Sequence, residues 1–382
     1  MEAFAYDAFV VLKLIWWVLL GALFVGIGAM IGMDMGVGTI LRYVGRTDEE
    51  RRVALNVIGP HWDGNQVWFV LGGGAIFAAW SLVYATAFSG FYIVMLLLLW
   101  SMIVRPLGFE YRGKMPSERW RAGWDAMLFL SGFVPMLVFG AAVGNVLLGV
   151  PFHFDWRLRS FYTGSFVTLF NPFAILCGLM SVGMAVYMGS CALARRAADP
   201  VRGRARRAGV AGAIAALVLF TLCGVWVGTI EGFSLVSAPP PGVEQTPLHQ
   251  QVVRVAGGLL ANYRAQPVLW VFPALAYASL GLGLILLAAR QPLVAWWLGV
   301  IAWIAVMGTV GAAMFPFMMP SVTEPSHSLT IWNAGASLRT LGWMTGFAVV
   351  FLPLIVAYTS WAFWVMRGPV SIQKVQSSDH AL

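Results

Sequence analysis

The sequence predicts an all-α polytopic membrane protein with nine transmembrane helices, and three observations carry that expectation. Charged residues make up 10% of the chain and hydrophobic residues 60%, whereas a soluble domain carries roughly 25% charged residues. The apolar segments run for about 20 residues or more without alternation, which suits helices; barrel strands would alternate over roughly ten residues. Finally, most of the 24 Lys and Arg cluster in every second connection between these segments, as membrane topology requires. That placement also turns the net charge of +8 toward lipid headgroups and away from nucleic acid.

The chain is read as one integral-membrane unit, residues 1–382, with spans at about 10–34, 64–87, 89–105, 124–148, 161–192, 208–230, 266–289, 292–315 and 339–366. The uncharged run of the first, 14–33, follows Asp7 and Lys13 without a cleavage-site pattern, so that span is expected to be retained. Thr47-Asp48-Glu49-Glu50 supplies an N-cap and early acids for a short amphipathic helix. The uncharged run 64–104 would be roughly 60 Å long as one helix, about twice the hydrocarbon thickness. It must turn back, and Ala87-Phe88-Ser89-Gly90 is the expected corner. Arg42, Arg46, Arg51 and Arg52 precede that run, and Arg105, Arg112, Lys114, Arg119 and Arg121 follow it; keeping both clusters on one side needs an even number of crossings.

Later elements continue the alternation. Asn171-Pro172 is expected to kink the fifth span, and six arginines between 195 and 207 close it. The 231–264 loop contains Pro239-Pro240-Pro241-Gly242, and its second half, Leu248 to Tyr263, reads as a short interfacial helix. Arg290 alone marks the next turn, and Met314-Phe315-Pro316-Phe317-Met318-Met319-Pro320-Ser321 ends the eighth span, where the prolines stop the helix. Arg367 and Lys374 follow the last span, before a polar tail. The balance places the N-terminus outside and the C-terminus inside. Cys177, Cys191 and Cys223 lie in or beside apolar segments without CxxC spacing, and read as small packing residues.

Polar groups at membrane depth are functional candidates. The densest cluster is Gly59-Pro60-His61-Trp62-Asp63-Gly64-Asn65-Gln66-Val67-Trp68, with Gly72-Gly73-Gly74 behind it. Asp63 reads either as the N-cap of the second span or as a proton carrier, and the two roles are compatible. Asp34 reads as an interfacial carboxylate paired with an arginine or as a proton-carrying group, with Arg105 the candidate partner of either acid. Gly28, Gly32 and Gly36, spaced by four, form a smooth helix-packing ridge. His61 invites a haem or metal reading, but His153, His249, His327 and His380 fall in loops or the tail, no histidine sits mid-span, and no HxxxH or HExxH occurs.

Pro60 to Trp68, followed by Gly72-Gly73-Gly74-Ala75-Ile76-Phe77-Ala78-Ala79-Trp80, resembles the signature of subunit II of the cytochrome bd-type quinol oxidases. Ile15-Trp16-Trp17, Asp34-Met35-Gly36-Val37-Gly38, Ala87 to Tyr92, Arg105-Pro106-Leu107-Gly108-Phe109, Gly149-Val150-Pro151-Phe152, Asn171-Pro172-Phe173 and Met314 to Phe317 are similar to that family in the same order. The resemblance covers nearly the whole chain and is weakest in the 231–264 loop and the tail.

The resemblance implies two four-helix bundles plus one peripheral helix in a bacterial cytoplasmic (inner) membrane. It implies a homologous subunit I that holds two b-type haems and haem d, or a third b-type haem, together with the quinol site. A small single-span accessory subunit, a structural quinone and phospholipid are further expectations. The complex oxidises quinol and reduces dioxygen to water without pumping, and this chain by itself is expected to bind no cofactor or metal and to hold no catalytic residue. Asp63 matches a carboxylate of proton delivery, Asp34 an acid near that route and Trp68 an aromatic on an oxygen path. Arg105 matches an arginine of haem-site integrity, with Trp62 and His61 beside it. Where some relatives read Asp-Gly-Phe-Asp, this chain reads Ile31-Gly32-Met33-Asp34, so the route here begins with Asp34 or with water alone. The residues by themselves also admit a secondary transporter coupled through Asp34, Asp63 and Arg105, although transporters usually show internal repeats, or an inert structural subunit.

Overall fold

The computed structural model describes residues 2–237 and 245–376. The Pro239-Pro240-Pro241-Gly242 segment, His380 and the end of the tail lie outside the described residues. Helix α1 (Glu2–Gly26) passes through a π-helical turn (Ile27–Ile31) into α2 (Gly32–Val44). The first span therefore runs well past residue 34, as one helix over Asp7–Val44. It continues because α2 is packed inside protein on α7 and α8, with Met35, Val37 and Leu41 fully buried. Gly45, in an extended conformation, ends it.

Helix α3 (Asp48–Ile58) opens on a capping box. Thr47 accepts from the Glu50 amide and the Glu50 carboxylate accepts from the Thr47 amide, which satisfies two helix-end donors at once. The expected second span is interrupted. Helix α4 (Trp62–Ala79) stops at Trp80, outside helical geometry, and α5 (Ser81–Gly90) resumes. The turn follows at Phe91, beside the expected corner; α6 (Tyr92–Tyr111) runs back and α7 (Glu118–Leu148) reverses direction again. A hairpin of β1 (Phe152–Phe154) and β2 (Ser160–Tyr162) precedes α8 (Pro172–Arg196).

Three expectations are corrected here. The fifth span starts at Pro172, not 161. Asn171-Pro172 begins that helix instead of kinking it: the Asn171 side chain accepts from the Ala174 amide at 2.8 Å, and proline is tolerated in a first turn. Helix α9 (Val201–Val227) leads to β3 (Glu231–Ser237), which pairs antiparallel with β4 (Gln251–Ala256). The interfacial helix expected from Leu248 to Tyr263 is thus replaced at its centre by strand β4, because Val252, Val253 and Val255 suit a pleated, half-buried surface. Only α10 (Ala261–Ala265) is α-helical there. Helices α11 (Val271–Ala288) and α12 (Pro292–Met314), strands β5 (Phe317–Met319) and β6 (Leu329–Thr330), α13 (Leu338–Val365) and α14 (Ile372–Gln376) complete the order. The three small sheets make the chain all-α in its apolar helices and not in its connections.

Among the described residues, eight helices are long and apolar enough to cross a membrane. The broken, polar-ended pair α4–α5 is the expected span that does not qualify. Helix α8 is the hub, packed on α2, α7, α9 and α12. At the other extreme, Leu341 is the buried residue of α13. Connections gather at two ends. At one, Arg204 of α9 reaches the Val44 carbonyl and Glu50, and Ala197 bridges Val370. At the other, Val150 bridges Ser321 and Lys13 donates to the Trp332 carbonyl at 2.6 Å.

Candidate functional site

A buried polar cluster forms where α2, the α3–α4 corner, α6 and the end of α8 converge. Asp34 is 1% exposed. Its Oδ2 accepts from Asn65 Nδ2 at 2.9 Å, and Arg105 Nη2 stands 3.7 Å away. His61 Nδ1 lies 3.5 Å from Asp34 Oδ1 and 3.2 Å from Asn65 Nδ2. Its Nε2 lies 3.4 Å from Arg196 Nη1, which also donates to the Val57 carbonyl at 2.8 Å. The imidazole stacks on Phe363 of α13, ring centroids 4.6 Å apart.

Each side chain is placed by local backbone. Gly59-Pro60 turns the chain from α3 into α4, with the His61 amide bonded to the Ile58 carbonyl. One helical turn separates His61 from Asn65, so both face inward. Arg105 is buried through the close packing of Trp62 on Phe109, ring centroids 4.8 Å apart. Its guanidinium lies over both rings at 5.7 and 6.0 Å, an arrangement in which the ring quadrupoles favour the cation. Arg105 Nη1 and Nη2 and Asp34 Oδ1 have no hydrogen-bond partner among the described residues. The pair is therefore held by charge more than by hydrogen bonds, and removing either member strands the other in low dielectric.

Arg196 sets the proton pattern. A guanidinium only donates, so a bond to His61 Nε2 puts the ring proton on Nδ1. If the Asn65 amide then presents its oxygen to Nδ1–H, its nitrogen turns away from Asp34, and the 2.9 Å contact is satisfied only by a protonated carboxyl. If the amide presents nitrogen to an ionised Asp34, the same group donates to Nδ1, and the Arg196 contact must open. The amide orientation follows from the hydrogen-bond network. The cluster thus admits more than one hydrogen-bond arrangement, differing in the ring proton of His61 and the turn of the Asn65 amide.

Asp63 is not part of this cluster. It is exposed in the first turn of α4, and the N-cap is His61, whose side chain makes no capping bond. The N-cap reading of Asp63 is corrected: its side chain sits two positions too far along the helix. Trp68 is half-buried and lies against Gly26, where an added Cβ would overlap its ring. Of the glycine ridge, Gly28 lies against Trp303 and Gly36 against the Ala185 carbonyl, with no room for a methyl at either; Gly32 has ordinary 3.5 Å clearance to Met136.

Sequence reasoning passed over Arg196 and Phe363, and also a second network. Asp125, fully buried on α7, accepts from Arg51 at 2.8 Å and from Arg112 at 2.7 Å, and Arg112 reaches on to Asp48 at 2.8 Å. Beside it, burial pushes the Glu50 carboxyl up, but Arg204 and the Arg46 and Thr47 amides hold it below the usual carboxylate range. Both ring nitrogens of His61 face protein partners, His153 and His327 sit in the strand-rich end beside Phe161 and Phe154, and the described residues contain no metal-ligating cluster of His, Cys, Asp or Glu.

Residues 12–366 match the protein family described as cytochrome bd terminal oxidase subunit II. The chain is 46% identical over 375 residues to the cytochrome bd-I ubiquinol oxidase subunit 2 of Escherichia coli K12, covering 97% of this chain and 98% of that one. It is 43% identical over 371 residues to the probable cytochrome oxidase subunit 2 of Haemophilus influenzae, covering 97% and 98%. In fold it is similar to a chain of the bd oxidase from Geobacillus thermodenitrificans, with TM-score 0.64, 10% identity and coverage of 96% and 99%.

Proposed function

Because the chain belongs to the cytochrome bd terminal oxidase subunit II family, we propose that it serves a haem-bearing subunit I as the carrier of a proton route. In the complex, the haems of the partner supply electron transfer and dioxygen chemistry; this chain supplies packing and protons. The single observation behind this reading is the buried cluster Asp34–Asn65–His61, in which one amide reaches both the carboxylate and the imidazole. Protons arrive at the basic end, where Arg196 and the α3–α4 corner meet. Asp34 takes one up as the Asn65 amide turns and Arg196 engages His61, and gives it up when the amide returns. Asp63, exposed on the outside of α4, is the carboxylate that hands the proton toward subunit I. The exposed side of α4, with Val67 and Val70, faces that partner, and Trp68 forms a wall of an oxygen path beside it.

The broken pair α4–α5 is read as the ninth crossing. It leaves the basic end at Trp62 and reaches the strand-rich end at Gly90, where Tyr162 lies against Gly90. The helices before residue 149 then form one four-helix bundle, α8, α9, α11 and α12 the second, and α13 the peripheral helix, with the basic end cytoplasmic. Asp63→Asn tests the hand-over. Quinol oxidase turnover is expected to fall about a hundredfold, as for loss of a positioned acid–base group, with the haem spectrum intact. Unchanged turnover would reject the role, and loss of haem would make it one of assembly.

A further inference from the structure

Cys177 on α8 and Cys223 on α9 are free thiols with Sγ atoms 3.8 Å apart. Both line an apolar cavity of about 320 Å³ among α7, α8, α9, α11 and α12. Their distance exceeds a disulfide bond of about 2.05 Å. It is well within reach of one atom bonded to both sulfurs, since two bonds of about 2.3 Å, as zinc makes to thiolates, span up to about 4.6 Å. The thiols therefore stand ready for a bent, single-atom bridge.

The surroundings select the bridging atom. Met180 and Met307 add thioether sulfur to the lining, aromatic surface comes from Phe139, Phe220, Tyr277 and Trp303, and no lining residue carries a charge. Thiol and thioether donors favour soft centres. A dication would have to enter bare and expel two protons inside an uncharged wall, which low dielectric opposes. A neutral trivalent arsenical needs neither. Its As=O oxygen takes both thiol protons and leaves as water, two As–S bonds replace the As–O bonding, and no charge is created. The cavity has room: a protein cavity of about 150 Å³ already admits benzene.

We propose that Cys177 and Cys223 form a dithiol site for a lipophilic trivalent arsenical, which on binding ties α8 to α9. The probe is phenylarsine oxide, applied to the purified oxidase complex in mild detergent, with the intact mass of this chain as readout. One phenylarsenic group less two hydrogens is expected per chain. It should be released by a small dithiol and retained against an equal concentration of a monothiol, because only a dithiol matches the chelate. The adduct is expected to vanish in Cys177→Ala and in Cys223→Ala and to persist in Cys191→Ser. No adduct, or an adduct that a monothiol releases or that either single alanine variant keeps, overturns the proposal. The release experiment uses the unaltered chain, so the test stands even if a variant fails to assemble.

Discussion

At the scale of single residues, Asp34 and Arg105 form a pair of opposite charges that is almost fully buried. Each neutralises the other in a setting where an uncompensated charge is costly. Arg105→Gln is expected to destabilise the complex by about 3–5 kcal/mol, the usual cost of breaking a buried pair. Asp34→Asn/Arg105→Gln should recover much of that loss, because no charge is then stranded. Thermal unfolding of Arg105→Gln, Asp34→Asn and the double variant in one detergent measures this; a double variant as unstable as the sum of the singles would contradict the pairing. Glu50 gives a pH-dependent counterpart at the basic end. Its carboxyl titrates below the usual value, so its contribution is complete above about pH 4.3, the unfolded value of Glu, and is lost as pH falls through the lower folded value. Protection of α3 against hydrogen exchange, relative to the intrinsic rate at each pH, should therefore fall at acidic pH, and Glu50→Gln should flatten that fall.

This scale also shows what a sequence can and cannot reveal about a site. Asp34 was legible because a carboxylate in an apolar run stands out. Its pairing with Arg105 was one of two options, and three-dimensional placement chose it over Asp63. Asp63 and Asn65 are two residues apart, and only the packing of α4 decides that the amide faces inward and the acid outward. Arg196 was hidden among five other arginines, and its link to His61 spans 135 positions.

At the scale of elements, the glycine ridge separates need from pattern. Spacing by four marked Gly28, Gly32 and Gly36 alike, yet the neighbours differ. Gly36 meets the backbone of α8, which cannot yield as a flexible side chain can, whereas Gly32 has room for a methyl. Gly36→Ala is expected to abolish assembly of the complex, and Gly32→Ala to leave its yield and melting temperature nearly unchanged. Equal effects of the two would refute this reading of the α2–α8 contact. The elements misjudged from sequence share a cause. Hydropathy located apolar runs but could not place a helix start within one, so residues 161–171 joined α8 on paper; in the chain they form strand and a short helical turn before the Asn171 cap. Strand β4 exists because β3 is there to pair with it, and local pattern alone is blind to a partner about twenty positions away.

At the scale of the whole molecule, the alternation of basic clusters was the most legible feature, because it reflects charge and requires no packing. Of the connections it assigned to one side, those carrying Arg51, Arg112, Arg204 and Val370 meet at one end. Trp156, 76% exposed, and Arg202 at the opposite end test the orientation. With a membrane-impermeant maleimide added outside intact cells, Trp156→Cys is expected to react and Arg202→Cys to stay protected; the reverse pattern would invert the topology. Packing adds what charge could not. Helix α8 is the interior hub while α13 lies almost bare, so the proposed proton route sits in a frame packed around α8.

That proton route is the central claim, and single-turnover proton uptake measures it most directly. Fully reduced complex carrying Asp34→Asn, with its haem spectrum checked as intact, is mixed with dioxygen in the presence of a pH-indicating dye. Proton uptake is expected to slow by about a hundredfold, and Asn65→Leu, which removes the turning amide, should slow it in the same way. Uptake at the rate of the unaltered complex in Asp34→Asn, with haem content preserved, would contradict the account.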